Sequence, residues 1–93
     1  MIKIVGNDLY RGGEKIGWLD GRYVRAHDGA KMGYFDNSRV YDENGNKLAY
    51  VEGDYLYSYS SGEKVSLNKV AKEVEGGIAP GIEKCAVYTI FGT

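Results

Sequence analysis

Residues 40–57 read VYDENGNKLAYVEGDYLY, and this stretch decides the fold because the first two-thirds of the chain repeat its pattern. It places Gly45 two residues before Lys47, and the same arrangement occurs three more times. The four glycines are spaced by 16, 16 and 17 residues. The repeated pairs are Gly13 and Lys15, Gly29 and Lys31, Gly45 and Lys47, and Gly62 and Lys64. A fixed period indicates a repeat architecture whose neighbouring units complete one shared core.

Each repeat carries two turn signals about eight residues apart, a spacing typical of short antiparallel strands. One signal is a pair such as Asp28-Gly29 or Asn44-Gly45, which tolerates the positive φ of tight hairpin turns. Two turns in each of four units predict eight strands over residues 3–68. An antiparallel sheet of this kind avoids exposed edges by closing on itself. We therefore expect an all-β fold, a pseudo-four-fold repeat of β-hairpins closed into a small, shallow eight-stranded barrel.

Side-chain alternation along a strand assigns residues to the two faces of the sheet. We expect the core face to carry two rows of larger residues and the opposite face to carry a row of small ones. The core rows are Ile16, Met32, Leu48 and Val65, and Trp18, Tyr34, Tyr50 and Leu67. The small row is Gly17, Gly33, Ala49 and Ser66. Tyrosines of neighbouring strands, such as Tyr10, Tyr41 and Tyr57, are expected to cover the small row.

The 16-residue pattern covers residues 1–69, and we interpret residues 70–93 as a linker and an apolar plug segment of the same domain. Glycines and the lone Pro80 mark a bend. From Ile82 the apolar residues recur at helical spacing and cover nearly the whole circumference of a helix. Such a helix is expected to be buried, which predicts a short helix through the barrel centre. The composition of residues 86–91 also suits a ninth strand. The sequence leaves both alternatives open.

Composition excludes several classes of protein. A chain of 93 residues forms one domain, and its formal net charge of −1 lacks the basic excess that binding a nucleic-acid backbone requires. The single cysteine, Cys85, permits no internal disulfide, and we expect it to be buried. We expect no cofactor and no metal. The first residues turn polar too early for a signal peptide, and no apolar stretch reaches the length of a membrane span, so we expect a cytoplasmic protein.

The stretch 40–57 resembles the bacterial four-fold β-flower domains, and the resemblance covers roughly residues 3–68. Those domains are shallow symmetric barrels with an apolar centre. They are distantly similar in architecture to the tubby C-terminal domain, whose barrel is threaded by a hydrophobic helix. The resemblance therefore implies a central helix in this chain. It implies little about function, because the β-flower group is largely uncharacterised and no phosphoinositide-binding motif of the tubby-like domains can be matched residue by residue.

The candidate site is the repeated lysine, at Lys15, Lys31, Lys47 and Lys64. In a closed barrel these four residues form a ring that suits a phosphate or a lipid head group. The alternative is that each lysine is a solvated strand-end residue paired with a nearby acid. His27 is expected to be an exposed turn residue, because no partner for catalysis is visible.

We expect a non-enzymatic structural or binding module whose partner is a protein or an anionic ligand. Self-association through one face fits the same expectation. An enzyme is the remaining alternative, although no nucleophile or acid–base pair can be named from the sequence.

Overall fold

The computed structural model describes residues 1–76 and 81–92, in which the chain forms ten strands and two helices. The strands are β1 (Ile2–Val5), β2 (Asp8–Arg11), β3 (Glu14–Asp20), β4 (Tyr23–Ala26), β5 (Lys31–Phe35), β6 (Arg39–Asp42), β7 (Lys47–Glu52), β8 (Tyr55–Ser58), β9 (Lys64–Ser66) and β10 (Val74–Gly76). The helices are α1 (Leu67–Glu73) and α2 (Gly81–Phe91).

All ten strands belong to one sheet in the order β10-β1-β2-β3-β4-β5-β6-β7-β8-β9. Each pair of neighbours is antiparallel except β1 and β10, which are parallel. Within the described residues the two edge strands, β9 and β10, do not pair, so the sheet is open. The predicted closed eight-stranded barrel and the all-β class are therefore wrong, and the fold is mixed α/β. One reason is that the eight predicted turns connect nine strands and not eight, so the repeats form β1 to β9.

Residues 67–76 supply the second reason, because they form α1 and β10 where the sequence predicted the end of the repeats at residue 69 and a linker from residue 70. Ser66 is the N-cap residue of α1, and its Oγ accepts a hydrogen bond from the backbone N–H of Lys69 at 3.2 Å. Such a cap satisfies a backbone donor that the first helical turn leaves unpaired. The helix contacts both β9 and β10 and buries Val70. It thus connects the two edges of the sheet without pairing them.

The repeat is preserved in the strand register. Val40 on β6 lies opposite Ala49 on β7, and the next residue, Tyr41, lies opposite Lys47, which leaves Leu48 without a cross-strand partner. The same β-bulge occurs at Ile16 and Met32. A bulge inserts one residue and so exchanges the faces of the residues beyond it.

The predicted core face is only partly correct for this reason. The small residues Gly17, Gly33 and Ala49 are buried, although the opposite face was predicted for them. Four of the residues assigned to the core are half-buried and pack against it: Ile16, Leu48, Val65 and Leu67. The three buried small residues lie opposite Leu9, Val24 and Val40, which are completely buried. Leu56 is their equivalent in the fourth repeat and is 4% exposed. In the fourth repeat no bulge intervenes, so Val65 lies opposite Leu56, and Ser66 caps α1 instead of facing the core.

The C-terminal segment is a helix, so the ninth-strand alternative is wrong. The predicted path through a barrel centre is wrong as well, because α2 packs on one side of an open sheet. Helix α2 packs against β4 to β7, β10 and α1, and buries Cys85, Ala86 and Val87 completely. Its C-terminal residues lie over the small row of the sheet, because Phe91 is close to Gly17 and Ile90 to Gly33. Of the bend predicted over residues 76–81, the first residue ends β10 and the last begins α2, and residues 77–80 lie outside the described residues.

Candidate functional site

The sheet face opposite α2, here called the tyrosine face, carries most of the aromatic side chains. Bulges and strand alternation bring together on it eight tyrosines and one tryptophan: Tyr10, Trp18, Tyr23, Tyr34, Tyr41, Tyr50, Tyr55, Tyr57 and Tyr59. Within the described residues no helix contacts this face, since α2 packs on the other side. The tyrosines therefore do not cover the small row, as the sequence had suggested, and Trp18, Tyr34 and Tyr50 do not belong to the core.

Neighbouring strands of the tyrosine face carry stacked tyrosine pairs. The rings of Tyr34 and Tyr41 have centroids 4.7 Å apart with planes inclined by 14°. Those of Tyr50 and Tyr57 are 5.0 Å apart and inclined by 12°. Two such pairs fix the ring orientations, because offset stacking adds to the stability gained from area burial. The stacking therefore restrains the orientations of these four rings relative to one another.

The repeated lysines lie on the tyrosine face at equivalent register positions, and three of them extend along it. Lys31 Nζ lies 4.1 Å from the ring centroid of Tyr23, and Lys64 Nζ lies 4.3 Å from that of Tyr55. These are cation–π distances. Lys15 extends in the same direction. Its Nζ lies 5.4 Å from the ring centroid of Trp18 and forms a salt bridge with Asp8 Oδ1 at 3.0 Å.

Lys47 has no such partner among the residues that the structure describes, and the register explains why. The position that holds Asp8, Tyr23 and Tyr55 in the other repeats holds Arg39 in the third. Arg39 has the same charge as Lys47, so the two side chains repel each other. The third repeat therefore presents two cations on neighbouring strands.

The four lysines form a row and not a ring, because the sheet is open. They stand at the beginning of β3, β5, β7 and β9, which run in the same direction and end at the same side of the sheet. Alternate strands of a sheet are about 9.6 Å apart. That spacing is too large for a single phosphate to contact all four ammonium groups.

Hydrogen bonds connect the middle of the tyrosine face to a turn. The Tyr41 hydroxyl donates to Asp36 Oδ2 at 2.8 Å, and this bond raises the pKa of Tyr41 above its ordinary value. The backbone N–H of Ser38 is the main cause of a lowered pKa of Asp36. Arg39 Nε donates to the Tyr59 hydroxyl at 3.2 Å, which raises the pKa of Arg39 further. At neutral pH the hydroxyl of Tyr41 is therefore neutral and Arg39 is charged.

Carboxylates neutralise only part of the basic charge on this face. In the described part of the chain the salt bridges are Lys15 with Asp8 and Arg25 with Asp20. Three repeated lysines have no carboxylate within 4.0 Å there: Lys31, Lys47 and Lys64. The expected pairing of every lysine with an acid therefore holds for Lys15 alone, and the other three are available to an anionic group.

Two other residues considered from the sequence lie apart from this face. His27 is exposed in the turn between β4 and β5, as predicted. Cys85 is fully buried in α2, also as predicted, and burial raises its pKa to about 11. Its thiol is therefore protonated at neutral pH and is a poor nucleophile. Residues 1–76 and 81–92 contain no cluster of three or more histidine, cysteine or acidic side chains that could hold a metal ion.

The burial of Cys85 predicts slow alkylation. Treatment of the native domain with iodoacetamide at mildly alkaline pH should label Cys85 at least about 100-fold more slowly than treatment in denaturant, because the thiolate is the reacting species and the pKa is raised. Mass spectrometry measures both rates. Native and denatured rates within tenfold of each other would show that Cys85 is accessible in the folded state.

Comparison of the chain with family models, curated proteins and solved structures finds no match. The resemblance to β-flower domains thus stays a prediction. In the described residues no helix has both the length and the apolar character needed to span a membrane.

Proposed function

We propose that this domain is a non-enzymatic protein-binding module and that the tyrosine face is its binding surface. The observation that carries the proposal is the concentration of aromatic and cationic side chains on one uncovered side of the sheet. Tyr23, Tyr55 and Tyr59 expose 39%, 38% and 42% of their surface. Tyrosine, tryptophan and arginine are the residues that contribute most to protein-binding hot spots.

The ring geometry favours a protein over a sugar or a nucleobase. Those ligands bind aromatic residues by stacking on the ring face. In the stacked pairs Tyr34–Tyr41 and Tyr50–Tyr57 each ring already has its partner on one face. One face of each of these four rings is therefore occupied, which reduces the ring surface left for stacking, while tyrosine rings with hydroxyl groups suit the mixed apolar and hydrogen-bonding contacts of a protein interface.

The lysine row indicates the chemistry of the partner. Lys31, Lys47 and Lys64 lie on alternate strands and lack carboxylate partners in the described residues. Alternate strands are about 9.6 Å apart, and a polyproline II segment advances about 3.1 Å per residue with three residues per turn. A polyproline II segment with an acidic residue at every third position therefore presents its acidic side chains on one side, at about the spacing of the row. We infer that the partner contributes such an acidic segment.

Fluorescence anisotropy of a labelled peptide tests this proposal. The peptide carries glutamate at every third position, and a permuted peptide of the same composition carries its glutamates consecutively. We expect the spaced peptide to bind more tightly, and its affinity to fall as salt is raised, because exposed charges are screened. The double variant Lys31→Gln, Lys47→Gln should bind about tenfold more weakly, since each exposed ion pair contributes up to about 1 kcal/mol.

The matched control is Lys69→Gln, Lys72→Gln, which removes the same charge from exposed positions on α1. It should leave the affinity within about twofold. Equal losses in both double variants would mean that net charge alone attracts the peptide, and this would contradict the tyrosine face as the site. Binding to phosphatidylserine vesicles with no binding to either peptide would identify a membrane as the partner and would overturn the proposal.

A further inference from the structure

A cavity of about 330 Å³ opens between α2 and strands β7 to β9, on the side of the sheet opposite the tyrosine face. Four apolar residues form its floor: Leu48, Ala49, Leu56 and Val65. Ala49 and Leu56 are buried and belong to the core, whereas Leu48 and Val65 are only half-buried. The cavity is thus an apolar extension of the core that is open to solvent.

The cavity lies where the repeat departs from its own pattern. The turn before Lys64 is one residue longer than its equivalents in the second and third repeats, and the fourth repeat has no bulge. In the first two repeats the large side chains of Phe91 and Ile90 come close to Gly17 and Gly33. In the third and fourth repeats α2 presents Tyr88 and Thr89 to the sheet, and the space between them and the sheet remains open.

The rim of the cavity is polar. Tyr88 and Thr89 of α2 line it, together with Ser58 at the end of β8 and Ser61 in the turn that follows. Lys64 also lines it, but its ammonium group lies on the tyrosine face, 4.3 Å from the ring centroid of Tyr55. The other charged residue of the lining is Glu63, whose carboxylate disfavours an anion.

We propose that this cavity binds a small uncharged amphiphile, with its apolar body on the floor and a hydroxyl group at the Tyr88 and Thr89 side. A water-sized group occupies about 30 Å³, so the cavity has room for about ten non-hydrogen atoms. The lining is mixed, with apolar residues on the floor and polar residues at the rim, and a few polar groups beside apolar surface fix the orientation of a bound small molecule. The site is separate from the tyrosine face and does not depend on its function.

Titration with 4-propylphenol, followed by NMR of backbone amides, tests the proposal. We expect saturable shifts around residues 49, 56, 65 and 88, with a dissociation constant of about 1 mM or below. The carboxylate 4-propylbenzoate should bind more weakly, because burying its charge without a partner is costly. Thr89→Val keeps the shape but removes a hydroxyl, and should weaken binding of 4-propylphenol about five- to tenfold.

Ala49→Leu fills the cavity and should abolish binding, while Ala30→Leu in the exposed β4–β5 turn should leave it unchanged. If Ala49→Leu fails to fold, the comparison of Thr89→Val with the unsubstituted domain still decides the question. Shifts confined to the tyrosine face, the absence of saturation, or an unchanged affinity in Thr89→Val would overturn the proposal.

Discussion

Replacing Val87 with lysine is expected to unfold the domain. Val87 is fully buried in α2, which packs against the sheet and α1. The described residues include no buried charged or polar side chain, so a lysine at this position would meet no buried counter-charge. An unpaired buried charge costs more than about 4 kcal/mol, which is comparable to the 5 kcal/mol or so at the lower end of domain stabilities. Chemical denaturation followed by circular dichroism measures the loss.

Val5→Lys is the matched control. Val5 is on β1, exposes 52% of its surface and lies opposite Asp8. The new ammonium group therefore remains in water near a carboxylate, and the free energy of unfolding should change by less than about 0.5 kcal/mol. Equal denaturation midpoints for the two variants would contradict the central position of α2.

The hairpins could be predicted from the sequence because their turns are encoded locally. Asp28-Gly29 and Asn44-Gly45 form turns in which the glycines have φ of 93° and 87°, a conformation that other residues rarely adopt. The side chain of Asp28 accepts a hydrogen bond from the backbone N–H of Ala30 at 3.0 Å. Such short-range chemistry recurs in each repeat, and it fixes where strands begin and end without reference to the rest of the chain.

The faces of the strands were not predicted correctly, because a bulge is invisible to simple alternation. Lys15 and Gly17 are two residues apart, yet the unpaired Ile16 places them on opposite faces. A second apolar row competed with the one chosen, and it consists of the bulky residues two positions after each small one: Leu19, Phe35 and Val51. Leu19 and Phe35 are each only 6% exposed. That row was the sequence signal for the true core face.

Helix α1 also left a signal in the sequence. Ser66 is a favourable N-cap residue, and Leu67, Val70 and Val74 follow at helical spacing. The change of pattern after the fourth repeat predicts only that the repeats end there. In the structure this change marks the start of α1 and β10, the segment that keeps the sheet open. β10 is only three residues long and pairs with β1, which is distant in sequence. Nothing local predicts that pairing.

The candidate sites also differ in how far the sequence predicts them. The repeated lysines follow from the sequence period, and the structure places them at equivalent positions. Tyr34 lies directly opposite Tyr41 in the β5–β6 pair, which has no bulge, but the sequence analysis placed the two residues on opposite faces, so their stacking was not predicted. The cavity depends on how far α2 extends over the sheet, which is a property of packing and not of any motif.

Gly33→Ala is expected to lower the melting temperature by about 10 to 20 °C, which corresponds to about 2 to 3 kcal/mol for a domain of this size. A Cβ at this position would fall on the backbone carbonyl oxygen of Tyr41 and lie 2.8 Å from Cδ1 of Ile90. The strand and α2 must therefore move apart. Glycine-to-alanine changes usually stabilise by up to about 1 kcal/mol where the new methyl group fits, so the sign of the effect reports the contact.

Gly81→Ala is the control, because a Cβ there meets no atom of residues 1–76 or 81–92 within 4 Å and the backbone is not in the positive-φ region. It adds a good helix former to α2 and should leave the melting temperature unchanged or raise it. Adding Ile90→Ala to Gly33→Ala removes the side-chain contact but not the contact with the Tyr41 carbonyl, and it also deletes apolar burial. The double variant should therefore recover none of the lost stability. A Gly33→Ala variant that melts within about 2 °C of the unsubstituted domain, a shift worth less than about 0.5 kcal/mol, would show that α2 does not pack closely on the small row.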